Sequence, residues 1–234
     1  MAGVTGMSYF YNRGIEYALQ KYAVSNNTRL VDVGGALGIA LAPVVLSGPI
    51  YRLSTKAEGR YAKPLTDAGI ETLRKKMHIP KDIVIQHIPR IPPHYAPAAR
   101  TVRIPPRVLP GTLSHELGHT ISRKGKLLPG ALAGPRVGGL LSLAALPAAM
   151  YLDPDSTTAK ALPLATTLPW LPRLAEEARA SFRGYRGLRA ARHGRSSLLT
   201  LLPALGTYAL AATAPAATLE WIRRRRAARQ GGFS

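Results

Sequence analysis

The chain has 234 residues, no cysteine and a formal net charge of +20 at pH 7. This length allows one ordinary domain with at most a small second one. The lack of cysteine excludes disulfides, thiolate zinc sites and cysteine nucleophiles, so any metal must be held by His, Asp or Glu. The charge implies an anionic partner, and because the apolar residues are gathered into blocks, it favours a lipid bilayer over nucleic acid.

The first fifty residues contain two predicted elements. Residues 1–29 lack the continuous apolar core of a secretory signal, and aromatic residues at helical spacing over 8–24 predict a short interfacial helix. The apolar run at 30–51 carries one charge, Asp32, near its start. Its length is sufficient to cross a hydrocarbon core, which predicts a transmembrane helix.

Residues 52–129 are polar, basic and rich in proline, which predicts a part of the chain that lies in water. A short helix is expected over 66–77. Alternating apolar residues predict strands over 82–88 and 99–104. Because the second strand ends just before the motif at 115–119, we expect it to be the edge strand that pairs with an extended substrate.

The motif itself reads His115-Glu116-Leu117-Gly118-His119. It lies in a predicted helix that opens at 110–112 and closes at 123–125. Positions i and i+4 of a helix lie one above the other, so His115 and His119 can present imidazole nitrogens to one Zn²⁺ ion. Glu116 can act as the general base towards an activated water, and Gly118 leaves room for close packing behind the metal.

The remainder of the chain predicts membrane segments separated by a basic helix. Residues 130–172 are expected to form a membrane hairpin whose second arm is short enough to be re-entrant. Residues 173–197 are expected to form a basic helix that carries the third zinc ligand, and 198–234 an apolar span with an arginine-rich tail. The predicted fold is therefore mainly α and integral to the membrane, with three to four transmembrane or re-entrant helices and a small α+β zincin-like catalytic portion.

A zinc peptidase needs a third protein ligand, and residues 120–192 contain no histidine that could provide it. Distant carboxylates are the remaining candidates. Asp153 and Asp155 lie at the predicted apex of the hairpin, whereas Glu176 and Glu177 return to the membrane face that holds the motif. The hairpin geometry therefore favours the two glutamates.

The distribution of charge predicts the orientation. Lysine and arginine are concentrated in 52–136 and 173–195. Because positively charged loops favour the cytoplasmic side, we expect an integral membrane protein whose active site faces the cytoplasm. Peptides or membrane proteins are the expected substrates.

Three segments together resemble the membrane-bound neutral zinc metallopeptidase family. They are His94-Tyr95-x-Pro97, the strand sequence at 101–104 and the motif at 115–119. The resemblance covers about residues 80–184, and it extends more distantly to membrane proteases of the CAAX-processing and heat-shock type. It implies a gluzincin-like zinc endopeptidase.

The same resemblance suggests roles for residues of the basic helix. It implies that Glu177 is the third zinc ligand and that Ser181 contacts a zinc-binding histidine. The chain departs from the family pattern at four positions: Thr120, Arg179, Phe182 and Gly184. These departures leave the ligands in place but change their surroundings.

Two further residues are candidates for stabilising the oxyanion of the reaction, namely Tyr185 and His94. The alternative to an enzyme is a non-catalytic basic membrane protein, such as a phage structural component, with a degenerate HExxH motif. A nucleic-acid-binding protein is a third class, and the apolar blocks argue against it.

Overall fold

The fold is described from a computed structural model. The structure describes residues 38, 45–46, 49–50, 52–89, 93–121, 127–193 and 201–231. The predicted interfacial helix and most of the predicted span at 30–51 lie outside these residues. The described residues belong to two compact units: one contains the described residues up to 46, 132–171 and 209–231, and the other contains those between 47 and 131 and between 172 and 208.

In the second unit, helix α1 (Asp67–Lys76) begins where the sequence predicts it. Thr66 caps its N-terminus, since the Thr66 hydroxyl accepts a hydrogen bond from the backbone N–H of Gly69 at 3.3 Å. Ile70 and Leu73 lie one turn apart and are buried, which directs one face of the helix into the core.

The sheet has three strands, β1 (Val84–His87), β2 (His94–Ala96) and β3 (Thr101–Ile104), in the order β1-β3-β2. β1 pairs in parallel with β3, and β2 is antiparallel to β3. Both predicted strands are present. However, the expectation that the strand before the motif is an edge strand is wrong, because the connection at 88–100 contains β2, which covers that side of β3.

Helix α2 (Pro110–Thr120) carries the motif. Pro110 occupies its first turn, where a missing N–H costs little, and Leu109 provides no side-chain cap. Glu58, in the helical segment 52–59, provides one instead: its Oε1 accepts a hydrogen bond from the Gly111 N–H at 2.7 Å. This buried carboxylate also lies at the positive end of the helix dipole, so it fixes the start of α2.

The core of this unit joins α1, the sheet and α2. Leu113 and Leu117 of α2 pack with Val102 and Ile104 of β3. The other buried members are Ile70, Leu73, Met77, Ile79, Ile83 and Val108. Leu113 and Leu117 face this core from one side of α2, so the histidines must project from another.

Helix α5 (Leu171–Ala190) packs against α2, and α6 (Leu201–Gly231) follows it in the chain. The first unit contains helix α3 (Gly134–Tyr151), helix α4 (Thr157–Thr167), a short 3₁₀ helix (Leu168–Trp170) and the later part of α6. Its apolar core pairs Ala145 and Ala149 of α3 with Leu219 and Ile222 of α6. Small side chains on α3 allow this contact.

The observed helices contradict the prediction of membrane-spanning segments. Within the described part of the chain, no helix combines the length and the apolar character that a membrane crossing requires. α3 carries Arg136 in its first turn and Pro147 in its interior, and α4 has 11 residues. α6 contains Glu220 and the arginine run at 223–226 within one continuous helix.

This finding overturns the predicted integral-membrane fold and the predicted integral-membrane localisation. The apolar blocks at 130–172 and 198–222 instead supply helices that pack on one another. The mainly helical character and the small sheet beside the motif helix are confirmed.

Candidate metal centre

The two motif histidines lie on one buried face of α2. His115 and His119 are 7% and 5% exposed. Their ring centroids are 5.0 Å apart and the ring planes meet at 85°. One helical turn therefore places both imidazoles beside a common point, as the i, i+4 spacing predicts.

Glu177 of α5 supplies the third donor. Its Oε2 lies 3.0 Å from His115 Nε2 and 3.6 Å from His119 Nε2. One atom from each of the three residues lies within 4.8 Å of the others, and all three residues are buried. Two imidazole nitrogens and a carboxylate oxygen in such proximity form a group that could hold a metal ion.

The opposite ring nitrogens of the histidines are also held by α5. His115 Nδ1 lies 3.2 Å from Ser181 Oγ, and His119 Nδ1 lies 3.3 Å from Glu176 Oε1. With Nδ1 acting as the donor in both rings, each Nε2 is left facing Glu177. One helix thus contributes the third donor and the partners that orient the other two.

Glu176 is itself fixed in place. It is fully buried, and its Oε2 accepts a hydrogen bond from the Leu128 N–H at 3.1 Å. Arg179 Nη1 lies 3.8 Å from the same oxygen. Because its two oxygens are engaged by different partners, Glu176 is oriented towards Nδ1 of His119 and not towards the donor group.

Two glycines allow α2 and α5 to cross at close range. A Cβ on Gly118 would lie 2.2 Å from the carbonyl oxygen of Ala180. A Cβ on Gly184 would lie 2.9 Å from the carbonyl group of Ser114. The predicted close packing at Gly118 is confirmed, and an alanine at position 184 would clash with α2.

The other departures from the family pattern are also accommodated. Thr120 is buried, and its hydroxyl donates to the Leu117 carbonyl at 2.8 Å. Arg179 contacts Glu176 as described above, and Phe182 is 61% exposed. None of these three side chains displaces a donor of the His-His-Glu group.

Sequence reasoning missed Arg173 and Tyr208. Arg173 Nη2 lies 2.6 Å from Glu177 Oε1, in an ion pair whose angles are not those of a hydrogen bond. The same nitrogen donates to Tyr208 Oη at 2.6 Å. The i, i+4 spacing of Arg173 and Glu177 was a usable signal, but a lone tyrosine in the apolar run of α6 carried none.

Glu116 is the predicted general base of the motif. Glu116 is half-buried and follows His115 on α2, and its charge contributes to raising the pKa of His119, Arg173 and Tyr208. Its carboxylate is therefore within electrostatic reach of the donor group.

Among the hydrogen bonds and ion pairs described above, none links Tyr185 to the donor group. The Tyr185 hydroxyl accepts a hydrogen bond from Arg189 at 3.5 Å. His94 lies on β2 opposite Arg103 of β3, next to Tyr95, which packs against the core that contains α2.

Burial and pairing shift the ionisation of the site. Burial alone would lower the pKa of His119, but hydrogen bonds to Glu176 and Glu177 raise it to about 9. Burial would raise the pKa of Glu177, whereas its contacts with His115, His119 and Arg173 hold it well below its usual range. In the metal-free protein, His119 is therefore a cation beside two carboxylates.

These shifts predict how the stability of the metal-free protein depends on pH. The His119 contribution is complete below its ordinary pKa of 6.5 and is lost as the pH rises to about 9. The loss amounts to about 3 kcal/mol in the free energy of unfolding. The Glu177 contribution is present above the ordinary carboxyl pKa and is lost as the pH falls through the depressed value.

Urea unfolding of chelator-treated protein between pH 6 and pH 9.5 measures the first effect. His119→Gln is the control, because it lacks the titrating ring and should flatten the dependence over this range. A wild-type stability that stays constant or rises between these pH values contradicts the paired state of His119.

No protein-family model matches the chain, and comparisons with curated proteins and with solved structures give no match either.

Proposed function

We propose that this protein is a zinc-dependent peptidase in which His115, His119 and Glu177 bind the metal and Glu116 is the general base. The observation that carries the proposal is the convergence of His115 Nε2, His119 Nε2 and Glu177 Oε2 at one buried point. A degenerate motif would have no reason to keep its histidines oriented by partners on a second helix.

Zinc is the metal that best suits these donors. Two imidazoles and one carboxylate are a common catalytic zinc set, and three protein ligands leave a position open for substrate or water. When bound, zinc in such a site lowers the pKa of a water molecule to about 7 and polarises the carbonyl group under attack.

Glu116 supplies the proton transfer that peptide hydrolysis requires. It is next to His115 in the chain, is only half-buried, and affects the ionisation of groups around the donor set. Its carboxylate can accept a proton from the attacking water and pass it to the departing amine. Metal binding and proton transfer are thus both assigned to residues of α2 and α5.

A polypeptide is the proposed substrate class, because two helical histidines with an adjacent glutamate form the motif that zinc peptidases use. A small sheet lies beside this motif, since β2 and β3 both contact α2. β3 lies between β1 and β2, so the substrate-pairing role expected for 99–104 does not fit that strand.

The test is hydrolysis of fluorescently labelled casein by purified protein. We expect activity that is removed by a strong chelator and restored by Zn²⁺ at one equivalent, since the donor group holds one ion. Mg²⁺, which prefers oxygen ligands, should not restore it. Activity that persists in the chelator, or a zinc-loaded protein without activity, would leave the alternative of a non-catalytic protein.

A further inference from the structure

We infer that Arg173 ties the third metal ligand to Tyr208 and thereby positions the Tyr208 hydroxyl to donate to the carbonyl oxygen that becomes negative during hydrolysis. This inference rests on the proposed peptidase function and assigns it a catalytic residue, Tyr208, and a positioning residue, Arg173.

The geometry of the link is direct. Arg173 lies one helical turn before Glu177 on α5, and a single guanidinium nitrogen is 2.6 Å from Glu177 Oε1 and 2.6 Å from Tyr208 Oη. The other oxygen of Glu177 faces the two histidines. The Tyr208 hydroxyl is therefore two polar contacts away from the carboxylate of the third ligand.

Arg173 restrains Tyr208 in a second way. Its guanidinium carbon lies 4.5 Å from the centroid of the Tyr208 ring, in a cation–π contact. A ring held at its face and at its hydroxyl has little freedom to rotate. Such restraint is what a group must have to stabilise charge without reorganising during the reaction.

The hydroxyl proton is available for a substrate. Tyr208 Oη accepts its hydrogen bond from Arg173, and a guanidinium has no acceptor to which the phenol could donate in return. Among the polar contacts described for Tyr208, the hydroxyl makes no donation. It can therefore donate to an oxygen that arrives beside the donor group.

The surroundings make such a donor effective. The side chain of Glu177 is 1% exposed and that of Arg173 is 17% exposed, so little water screens this side of the group. A hydrogen-bond donor that points at developing negative charge in such a site stabilises the transition state more than it would in water. Tyr185, by contrast, is engaged with Arg189.

The experiment compares Tyr208→Phe, Arg173→Lys and Arg173→Met with wild type, with Tyr185→Phe as the matched tyrosine control. Zinc content is measured first. Casein hydrolysis then gives kcat and KM, and binding of methylphosphonate, a tetrahedral anion, is followed in the visible spectrum of the Co²⁺-substituted protein.

We expect Tyr208→Phe to keep its zinc and its KM and to lose about 10²- to 10³-fold in kcat. Methylphosphonate should bind it at least about tenfold more weakly than wild type, which corresponds to one lost hydrogen bond. Arg173→Met should also show a lower kcat and a weaker affinity for methylphosphonate. Arg173→Lys should recover part of both losses. Tyr185→Phe should behave as wild type.

The two proposals fail differently. A wild-type protein that binds methylphosphonate through Tyr208 but hydrolyses no casein would contradict the peptidase function. Tyr208 would then remain a hydrogen-bond donor to bound anions. Equal kcat and equal methylphosphonate affinity in Tyr208→Phe would overturn the inference, and so would a wild-type protein that does not bind the anion. A purely structural role of Tyr208 would instead lower the zinc content or the folding stability of Tyr208→Phe, and this result would also overturn the inference.

Discussion

Replacing Glu116 with Gln is expected to lower peptide hydrolysis by about 10³- to 10⁴-fold without loss of zinc. The amide has nearly the shape of the carboxylate but cannot accept a proton at neutral pH. His115, His119 and Glu177 are unchanged in this variant, so the metal should remain bound. Casein hydrolysis together with elemental analysis of the same preparation measures both quantities.

Glu71→Gln is the matched control for this substitution. Glu71 is exposed on α1, where it pairs with Arg74 at 3.5 Å, and it has no contact with the donor group. Its replacement should leave hydrolysis unchanged. A Glu116→Gln protein that retains zinc and hydrolyses casein at the wild-type rate would remove Glu116 from the mechanism.

Gly118→Ala should destabilise the protein by about 3 kcal/mol, at the upper end of the usual cost of overpacking. The new methyl group would lie 2.2 Å from a backbone oxygen of α5, and neither helix can yield by rotating a side chain. The helices must move apart, which also separates the histidines from Glu177. Urea unfolding and zinc affinity should therefore change together.

A graded set of glycines checks this explanation. Gly184→Ala should destabilise less, because its nearest atom lies at 2.9 Å, and Gly59→Ala should be neutral or slightly stabilising, because no atom lies within 4 Å. The expected order of destabilisation is Gly118, then Gly184, then Gly59. A Gly118→Ala protein as stable as Gly59→Ala would contradict the close crossing of α2 and α5.

The parts of the site that the sequence predicts well are those determined by local spacing. The i, i+4 histidines require only a helix, and the helix has clear start signals. Glu177 was reached through the resemblance, and the donor group agrees with it. Ser181 lies against His115, as that resemblance implies.

The parts that the sequence did not predict depend on contacts between distant segments. β2 is three residues long and begins after two prolines, so its pairing with β3 decides its conformation. Tyr208 reaches the site only because the start of α6 lies beside α5. Nothing in the local sequence around either element indicates such a neighbour.

The membrane prediction failed for a related reason. Apolar runs at 130–172 and 198–222 satisfy a length criterion, but the criterion does not distinguish a lipid-facing helix from one that faces another helix. Ala145 and Ala149 of α3 pack against Leu219 and Ile222 of α6, so these apolar runs bury their side chains against each other. Interior prolines and the Arg136 charge were signals against a crossing.

The most direct test of the account is the zinc content of wild type, His119→Ala, Glu177→Ala and Glu176→Gln after dialysis against a weak chelator. The account predicts one zinc per chain in wild type and none in the first two variants. Glu176→Gln should still bind zinc, with about 10- to 100-fold lower affinity, because it orients a ligand without being one. Zinc that survives Glu177→Ala, or a wild-type protein that binds none, would contradict the proposed metal centre.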